Sequence, residues 1–467
     1  MDTTPGMFMG ISTWMRGRVV RTSSDGTPST GTPSRAKSSL STDSIPHATC
    51  SPSPSQYDVP GAVGTTFMGD ESLDFVRNPV EFVQEKCRQY GPVFKLRIMN
   101  KGTVVVASND AVKEMLEERY DCYSIGFLDH MKDIFGENIL FADGDELVRL
   151  RTAIQPFFTR ESVEKCMPTL KQIINNCIPK ITPGSPIVLY ELFKRLSTEL
   201  SLALFLGMDL EEIESLVDHV IELGKSHWHG FVSVPLKFVP SFLGSGYAQS
   251  IDAKTELLKF IHDRIEAGKL KISGSDDFSG FQDIDEAARH VLVFISALIP
   301  KAFGSLLTSF CLETAARRDI LQKCVDDDSF LDDTLLEVSR LWPPFLGSRR
   351  ITKQEHAIQG HTIPKGMPVL YITHAANHDP TVFASPDEFI PQRWAEDNRN
   401  DRDRVFTLGS GGRECIGKVL AQLLFKECAR SLAEHWTWEL PDGQSLQYKW
   451  LPVSRPSTDV VALFTPR

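Results

Sequence analysis

The sequence predicts a mainly α-helical protein with small β-sheets, which places it in the α+β fold class. Between residues 145 and 300, apolar residues recur at intervals of three and four, as in LYELFKRLSTELSLALFLG, and this spacing lines one face of a helix. Near the C-terminus, CIGKVLAQLLFKECARSLAEHW has the same strongly amphipathic pattern. Alternating strand patterns occur instead towards the two ends, in VFKLRIM, TVVVAS and HAIQGHTIPKGMPVLYIT. Helices therefore form the body of the predicted fold.

The first 56 residues differ from the rest of the chain in composition. They are rich in Ser, Thr and Pro, as in TSSDGTPSTGTPSRAKSSLSTDS, and such a segment cannot bury an apolar core. We therefore predict a disordered leader at 1–56 and a single catalytic domain at 57–467. Arg16, Arg18 and Arg21 among these Ser and Thr residues also suit an organellar targeting segment, which stays open as the alternative.

The folded region begins with a helix and a hairpin. FVRNPVEFVQEKCRQY has a helical apolar pattern and is followed by a Gly-Pro turn signal. The strands VFKLRIM and TVVVAS come directly after this turn, separated by a few polar residues. Two short strands so close in sequence predict a β-hairpin.

Composition and charge exclude several classes of function. The net charge of −11 at pH 7 argues against nucleic acid or an anionic membrane as the main partner. The nine cysteines contain no C-x-x-C pair, so neither a disulfide framework nor a zinc ribbon is indicated. The apolar stretch VLVFISALIP at 291–300 runs into Lys301 and is shorter than the roughly 20 residues that span a bilayer. We expect a core helix there and no transmembrane helix.

The segment LGSGGRECIG at 408–417 places one cysteine among glycines, directly before an amphipathic helix. At a helix start, the helix dipole and free N–H groups favour a thiolate on Cys415. Gly411 allows a tight turn, and Gly417 leaves room beside the sulfur for a flat group. Arg413 is placed to pair with an anion on that group. Together these features are typical of a thiolate bound to a large planar metal cofactor.

This segment resembles the heme-binding loop of the cytochrome P-450 superfamily, F-x-x-G-x-R-x-C-x-G. Gly411, Arg413, Cys415 and Gly417 match the pattern, and Leu408 stands where Phe is usual. The resemblance implies a heme b cofactor whose iron is bound by the Cys415 thiolate. It also implies the P-450 fold, with heme buried between a long central helix and the cysteine-loop helix. The change at Leu408 is expected to alter thiolate tuning rather than heme binding.

A second motif upstream supports the resemblance. LLEVSRLWPP carries Glu337 and Arg340 on one face of a helix, and Arg393 lies in FIPQRW further on. These segments resemble the superfamily's E-x-x-R helix and its partner arginine, in the same order. The resemblance implies that the three residues hold the heme-binding side of the fold together and do no chemistry. It extends from about residue 57 to the C-terminus.

Two further arginines are expected to bind the heme propionates. Counting back from Gly360 and Pro364 in the strand segment after the E-x-x-R helix makes Arg350 one propionate partner, with Arg349 as the alternative. DGDELVRLRTAIQPFFT resembles the helix over the other propionate, and Arg151 matches its arginine. Leu147 occupies the usual Trp or His position, also in that helix, so one donor is missing.

The central helix, DEAARHVLVFISALIPKAFGSLLTSF, departs from the superfamily pattern. The usual [A/G]-G-x-[D/E]-T motif relays protons to bound dioxygen. Here Lys301 replaces the acid and Ala302 replaces the threonine. Pro300 is expected to kink the helix in place of the usual widening. Slippage by a turn would bring Ser305 or Ser296 into the relay.

The leading function is a heme-thiolate monooxygenase that inserts one oxygen atom from O2 into a hydrophobic lipid, sterol or terpenoid-like substrate. By resemblance, electrons come from a separate reductase or ferredoxin. The altered relay favours as an alternative a reductase-independent isomerase or dehydratase of lipid peroxides, and a non-catalytic heme-binding protein is the third hypothesis. The predicted substrate pocket is lined by residues of the central helix and of the loop after the E-x-x-R helix: Phe294, Ala297, Leu298, Phe345 and Leu346.

Location in the cell is only broadly constrained. No membrane anchor is visible in the sequence, so a cytosolic or organellar protein is expected. Peripheral membrane contact through the apolar segment at 228–243 is the open alternative.

Overall fold

The structure is a computed structural model that describes residues 58–64, 69–127, 130–233, 235, 241, 244–395 and 401–467. The chain divides into two compact units, Met1–Asp58 and Val59–Arg467, and the helices and strands given below belong to the second. The predicted leader at 1–56 lies outside the described residues. Most of residues 234–243, which belong to the segment 228–243 predicted as a membrane contact, also lie outside them.

Helices make up most of the described unit, as the sequence predicts. In chain order they are α1 Ser72–Arg77, α2 Pro79–Tyr90, α3 Asn109–Lys113, α4 His130–Phe135, α5 Gly144–Ile154, α6 Arg160–Cys177, α7 Leu189–Leu206, α8 Leu210–His229, α9 Gly246–Glu266, α10 Ile284–Val293, α11 Ile299–Thr314, α12 Arg318–Asp326, α13 Asp328–Leu341, α14 Thr373–Asn377 and α15 Lys418–His435. The strands are β1 Val93–Ile98, β2 Lys101–Val106, β3 Tyr123–Ile125, β4 Pro186–Val188, β5 Gly347–Thr352, β6 His356–Ile358, β7 His361–Ile363, β8 Pro368–Ile372, β9 Trp436–Glu439, β10 Tyr448–Lys449, β11 Arg455–Pro456 and β12 Val461–Pro466.

The predicted hairpin is confirmed. Strands β1 and β2 pair antiparallel, with Ile98 opposite Lys101. The two residues between them, Met99 and Asn100, have φ of 52° and 55°. Positive φ at both turn positions is the type I′ geometry that suits the twist of a two-residue hairpin.

The main sheet joins strands from distant parts of the chain. Its order is β1-β2-β8-β5-β3, and β2 pairs with β8 in parallel while the other pairs are antiparallel. The sequence predicts strands towards both ends but not that they form one sheet. A parallel pair requires a long crossover, and no local pattern specifies its partner. Strand β5 lies inside the sheet, with β3 and β8 on either side.

Helices α10 and α11 form one continuous central helix. A π-helical turn at Phe294–Leu298 joins them. The prediction of a Pro300 kink in place of a widened turn is therefore wrong, because the helix is widened directly before the proline. Pro300 has no N–H for the carbonyl four residues earlier, and a π turn accommodates such a break in the hydrogen-bond ladder. The hydrogen-bond register of the central helix therefore changes across this turn, which ends at Leu298.

The central helix is part of the protein core. By length and composition alone, Ile284–Thr314 could cross a membrane, but 88% of its most apolar window is buried inside the protein. Its side chains pack with those of α6, α7 and α15 in the largest apolar cluster. This matches the core helix that the sequence predicts.

Buried histidines predict that acid destabilises the fold. Burial lowers the pKa of His227, His290 and His378 to about 4, from an ordinary value of 6.5. All three are neutral in the folded state above pH 4, whereas the unfolded chain binds protons below pH 6.5. Stability is therefore fully present above pH 6.5 and falls between 6.5 and 4, by about 1.4 kcal/mol per pH unit for each histidine. Glu313 opposes this trend because burial raises its carboxyl pKa.

Urea unfolding at several pH values between 4.5 and 7.5 checks this prediction. The His290→Asn variant should show a shallower fall in unfolding free energy with acid than the parent protein. His219→Asn removes an exposed histidine and should leave the slope unchanged. A parent stability that is constant between pH 4.5 and 6.5 would contradict the assignment of neutral buried histidines.

Candidate active site

The loop from 408 to 417 is folded around its glycines. Gly411 has φ of 65°, and a Cβ at this position would lie 2.1 Å from the Leu116 carbonyl oxygen. The Cys415 N–H donates to the Leu408 carbonyl at 2.8 Å and closes the loop. Helix α15 begins at Lys418, so Cys415, which was predicted to lie at the start of this helix, lies in the turn directly before it. Gly411 is required because two backbone segments approach each other closely at this position.

Cys415 borders a space inside the protein. Its side chain has the accessible surface of an exposed residue, yet burial by the surrounding protein raises the pKa of its thiol. A sulfur that faces a deep cleft explains both observations. The Gly417 N–H, Arg151 and Lys418 act in the opposite direction and favour the thiolate. The predicted stabilisation of the thiolate is therefore only partial in the protein alone, and a bound metal cation would add to it.

Gly417 leaves the region beside the Cys415 sulfur free of a side chain. A Cβ built on Gly417 would lie 3.9 Å from Cys415 Sγ and 3.6 Å from two ring carbons of Phe158. Phe158 in turn packs edge-to-face on Phe294 of the central helix, with ring centroids 5.6 Å apart. The glycine thus lies where the cysteine loop meets an aromatic cluster that reaches the central helix.

Arg413 lies in the same loop and is largely buried. Its guanidinium donates to the Ala142 carbonyl at 2.6 Å and forms an ion pair with Asp143. Burial lowers the pKa of Arg413, Asp143 raises it, and Arg350 and Arg151 lower it again. These three arginines are therefore close enough to repel one another. In the protein alone the anion beside Arg413 is Asp143, whereas the sequence motif predicts a cofactor anion there.

Arg151 and Arg350 complete this arginine group. Arg151 donates to the Glu414 carbonyl at 3.0 Å, which ties α5 to the cysteine loop. Arg350 is only 8% exposed, and its guanidinium donates to Ser348 Oγ at 2.8 Å and to the Arg349 carbonyl at 3.1 Å. Within the described residues it forms no ion pair with a carboxylate. A buried guanidinium without an acid is a site for an anionic ligand.

These residues fit a heme. A cysteine that faces internal space can supply the axial thiolate, and Gly417 removes a side chain from the ligand surface. The arginine group contains Arg413, Arg151 and Arg350, and among the described residues only the carboxylate of Asp143 forms an ion pair with one of them. The excess positive charge suits the two propionates of heme. The role of each arginine towards a propionate stays a prediction.

The E-x-x-R motif forms a fully buried ion pair. Glu337 and Arg340 are both 0% exposed, and two hydrogen bonds of 3.0 and 2.8 Å join the guanidinium to the carboxylate. Arg393 donates to the same carboxylate at 2.9 Å, and so does the Trp394 indole at 3.0 Å. The three charged residues thus lie together, as their motifs predict.

Arg340 also connects the motif to the cysteine loop. Its guanidinium donates to the Asn377 carbonyl at 2.9 Å, and the Asn377 amide donates to the Arg340 carbonyl at 3.1 Å and to Thr407 Oγ1 at 3.0 Å. Asn377 Oδ1 accepts the Phe406 N–H at 3.0 Å. Phe406 and Thr407 directly precede Leu408, where the loop begins. The buried ion pair therefore fixes the start of the cysteine loop through one asparagine, which no sequence motif indicates.

The predicted relay positions have an unusual environment. Lys301 is 8% exposed, and its pKa is lowered to about 7, first by burial and then by Lys194 and Arg455. Ala302 is half-buried, unlike the residues on either side of it. A small cleft lies beside Lys301, between the central helix and helices α7 and α8. Its lining includes no residue of the cysteine loop, so it is separate from the space at Cys415.

Both serines considered for the relay have other hydrogen-bond partners. Ser305 is 0% exposed and donates to the Ser454 carbonyl at 2.6 Å. Ser296 donates to the Leu292 carbonyl at 2.6 Å and contacts the His227 ring nitrogen at 2.8 Å. The structure therefore does not support a slipped relay, because each hydroxyl proton is already used within the core.

The predicted pocket residues have different positions. Phe294 is 6% exposed and packs against Phe205, with ring centroids 5.0 Å apart, so it belongs to the core rather than to an open lining. Leu346 is likewise buried in an apolar cluster under the main sheet. Phe345 is half-buried. The side chains of Ala297 and Leu298 lie outside the described residues.

Leu147 and Leu408, the two positions that differ from the family's heme-binding segments, have ordinary surroundings. Leu147 is buried and packs with Leu150 and Ala142 near the arginine group. Leu408 is half-buried, and its carbonyl accepts the Cys415 N–H.

Sequence reasoning missed Asp143, whose pairing with Arg413 joins residues 270 positions apart. An acid directly before a predicted helix reads locally as a cap, so no local signal marks this pairing.

Comparisons with known proteins match this site. A model of the family described as Cytochrome P450 matches residues 67–296 and 313–458. The Putative cytochrome P450 120 of Synechocystis sp. is 24% identical over 430 residues, which cover 86% of this chain and 95% of the relative. Cytochrome P450 26A1 of Danio rerio is also 24% identical, over 82% of this chain and 86% of the relative. A structure titled retinoic acid bound cyanobacterial CYP120A1 superposes with a TM-score of 0.77 at 22% identity, covering 88% of this chain and all of that one.

The fold and the cysteine site define a heme-thiolate oxidoreductase. The chain belongs to the cytochrome P-450 family, whose members are heme-dependent monooxygenases with a cysteine thiolate ligand. The expected heme b cofactor and α+β fold are thereby confirmed. The family match omits residues 297–312, which contain the altered relay at Lys301 and Ala302.

Proposed function

We propose that the protein inserts one atom of dioxygen into an elongated lipid, sterol or terpenoid-like substrate, with electrons from a separate reductase or ferredoxin. The observation that carries this proposal is the Cys415 thiol, which borders an internal space beside the arginine group. When bound, heme supplies the redox chemistry of oxygen insertion. The retinoic acid in the structure of CYP120A1 supports a terpenoid-type substrate.

The residues of the chain have separate roles in this function. Cys415 would hold the heme iron through its thiolate, and Arg413, Arg350 and Arg151 would orient the cofactor through its acid groups. The Glu337–Arg340 pair holds the loop in place from behind.

Proton delivery is the step in which this chain departs from its family. Ala302 has no hydroxyl, and Ser305 uses its own hydroxyl proton for Ser454. Lys301 is the titratable group at the predicted relay, and its pKa of about 7 allows it to hold or release a proton near neutral pH. Because the cleft beside Lys301 is separate from the space at Cys415, Lys301 is not assigned to proton delivery at the heme.

A specific observation also favours a second function. An isomerase or dehydratase of lipid peroxides starts from a substrate that already contains an O–O bond, so it needs neither a reductase nor an acid–alcohol relay. The replacement of both relay residues, at Lys301 and Ala302, suits such an enzyme. Heme binding without either activity would correspond to the third hypothesis, a non-catalytic heme protein.

Two parallel assays distinguish these functions. The purified holoprotein is incubated with NADPH, a surrogate reductase system and retinoic acid or palmitic acid, and products are identified by mass. Separately, linoleic acid hydroperoxide is supplied without any electron donor. Donor-dependent gain of one oxygen atom supports the proposal, and conversion of the hydroperoxide alone supports the second function. The Ala302→Thr variant, which restores the alcohol, should increase product per NADPH only if the protein is a monooxygenase.

A further inference from the structure

Lys301 carries a buried amine that has no partner within the described residues. The residue is 8% exposed, although a lysine is rarely buried unless it is paired. Its Nζ atom takes part in no hydrogen bond or ion pair there, whereas Lys194 Nζ donates to Glu191 at 2.6 Å. The side chain of Lys301 lines the small cleft between the central helix and helices α7 and α8. A small molecule that enters this cleft would therefore meet an unpaired amine.

Helix packing brings Lys301 close to a second lysine. A Cβ built on Gly304 would lie 3.3 Å from the backbone nitrogen of Lys194, so the central helix and α7 are in close contact there. Lys301 precedes Gly304 by three residues and so lies on the same face of the central helix. Lys194 is also 8% exposed and lines the same cleft. Two buried amines thus belong to one cleft.

The charges around Lys301 are mainly positive. Lys194 of α7, Arg455 of β11 and Lys225 of α8 all lower the pKa of Lys301, and Glu191 of α7 acts in the opposite direction. Neighbouring cations disfavour a further cation and favour an anion at the same position. The surroundings of the Lys301 amine therefore suit a group that carries a negative charge.

Much of Lys301 is unprotonated at neutral pH. Burial, and then the neighbouring cations, lower the pKa of its ammonium to about 7, from an ordinary value of 10.5. At pH 7 about half of the Lys301 amines are then neutral, against roughly one in 3000 for an ordinary lysine. His227 of α8, whose pKa Lys301 helps to lower, is neutral above pH 4 and adds no charge. The neutral amine is the nucleophilic form of lysine.

The size and lining of the cleft limit what can react with this amine. The hydroxyl groups of the lining, on Thr198 and Ser296, already donate their protons to backbone carbonyls. Most of the other lining residues are apolar: Val220, Ile221, Gly224, Ile295 and Pro300. A reactant must therefore be small and uncharged when it enters, and it becomes anionic beside the lysines. Carbon dioxide has these properties.

We propose that Lys301 is a site of reversible carbamylation by carbon dioxide. The Lys301 nitrogen forms a bond to the carbon of CO2, one C=O double bond opens to give a carboxylate, and the N–H proton passes to water. No electron is gained or lost in this step. The cleft contains no residue of the cysteine loop, so the modification does not depend on heme binding or on oxygen insertion.

Electrostatics favour the carbamate over the ammonium at this position. Burial disfavours both charged forms of Lys301, because each loses hydration. The cations Lys194 and Arg455 disfavour only the ammonium, and they stabilise the carbamate. The modified side chain would thus supply the negative charge that this group of cations lacks.

Chemical trapping of the carbamate tests the proposal. The purified full chain is equilibrated with 13C-labelled bicarbonate and CO2, and triethyloxonium ion converts any carbamate to a stable ethyl carbamate that peptide mass spectrometry locates. At pH 7.5 the label on Lys301 should exceed that on Lys165, an exposed lysine, by at least about tenfold. At constant CO2 pressure the label on Lys301 should fall between pH 7.5 and 6, because its amine is protonated across this range. Absence of label on Lys301, or equal label on Lys165, would overturn the proposal.

Two substitutions beside Lys301 should change its labelling in opposite directions. Lys194→Met removes a cation, so both the neutral amine and the carbamate are less favoured and the label should fall several-fold. Glu191→Gln removes the carboxylate that favours the ammonium and should increase the label. Lys165→Met removes the same charge as Lys194→Met at an exposed position and should leave the label on Lys301 unchanged. Labelling that responds to neither Lys194→Met nor Glu191→Gln would contradict a carbamate held by this charge cluster.

Discussion

Replacing Arg340 by leucine is expected to destabilise the protein by about 3–5 kcal/mol, because the buried Glu337 carboxylate loses its bidentate partner and keeps only Arg393 and the Trp394 indole. Both side chains are 0% exposed, so no water replaces the lost hydrogen bonds. The carbonyls of Asn377 and Pro386 would also lose a donor. Few single substitutions in this chain remove so many buried polar contacts at once.

Denaturant unfolding followed by tryptophan fluorescence measures this effect. The control is Lys165→Met, which breaks the pair with Glu161, since both side chains of that pair are more than two-thirds exposed. An exposed pair of this kind contributes at most about 1 kcal/mol. An Arg340→Leu variant no less stable than Lys165→Met would show that the buried pair is dispensable. The double variant Glu337→Leu/Arg340→Leu should recover only part of the loss, because it removes the buried carboxylate but also the ion pair that Arg393 makes with Glu337.

Replacing Cys415 by alanine is expected to abolish donor-dependent oxygen insertion while the fold is kept. Cys415 contributes little to packing, since its side chain is exposed to the internal space. Without it, the loop has no thiolate for the iron. Product formation by mass and the far-UV circular dichroism spectrum are measured together. Cys166→Ala, a half-buried cysteine outside the site, should retain activity; activity equal to the parent in Cys415→Ala would contradict the assigned ligand.

The local motifs could be predicted from the sequence because their chemistry is contained in a few adjacent residues. The turn around Gly411 and the pair of Glu337 with Arg340 depend on spacing within one loop or one helix turn. The order of these motifs along the chain also matches the family. For this reason the sequence alone is enough to infer the cofactor and the family.

Long-range partners could not be predicted in the same way. The pairing of Arg413 with Asp143 and the Asn377 link to the cysteine loop join segments far apart in sequence. The burial of Phe294 among other aromatic rings likewise depends on how separate helices pack. None of these features changes the periodicity or spacing of the residues involved.

The central helix shows a different limit of sequence reasoning. A proline at position 300 predicts a kink, but the helix absorbs it in a π turn at Phe294–Leu298. Whether a helix kinks or widens depends on the packing around it, here against α7 and α8. The loss of the acid and the alcohol, in contrast, is visible in the sequence at Lys301 and Ala302 and coincides with the break in the family match.

The carbon monoxide difference spectrum of the reduced, purified protein tests the central claim most directly. Thiolate-ligated heme gives a strongly red-shifted Soret band, and the structure predicts this band for the parent protein and its loss in Cys415→Ala. A parent spectrum without heme, or a band that is unchanged when Cys415 is replaced, would contradict the assignment of Cys415 as the axial ligand of a heme-thiolate enzyme.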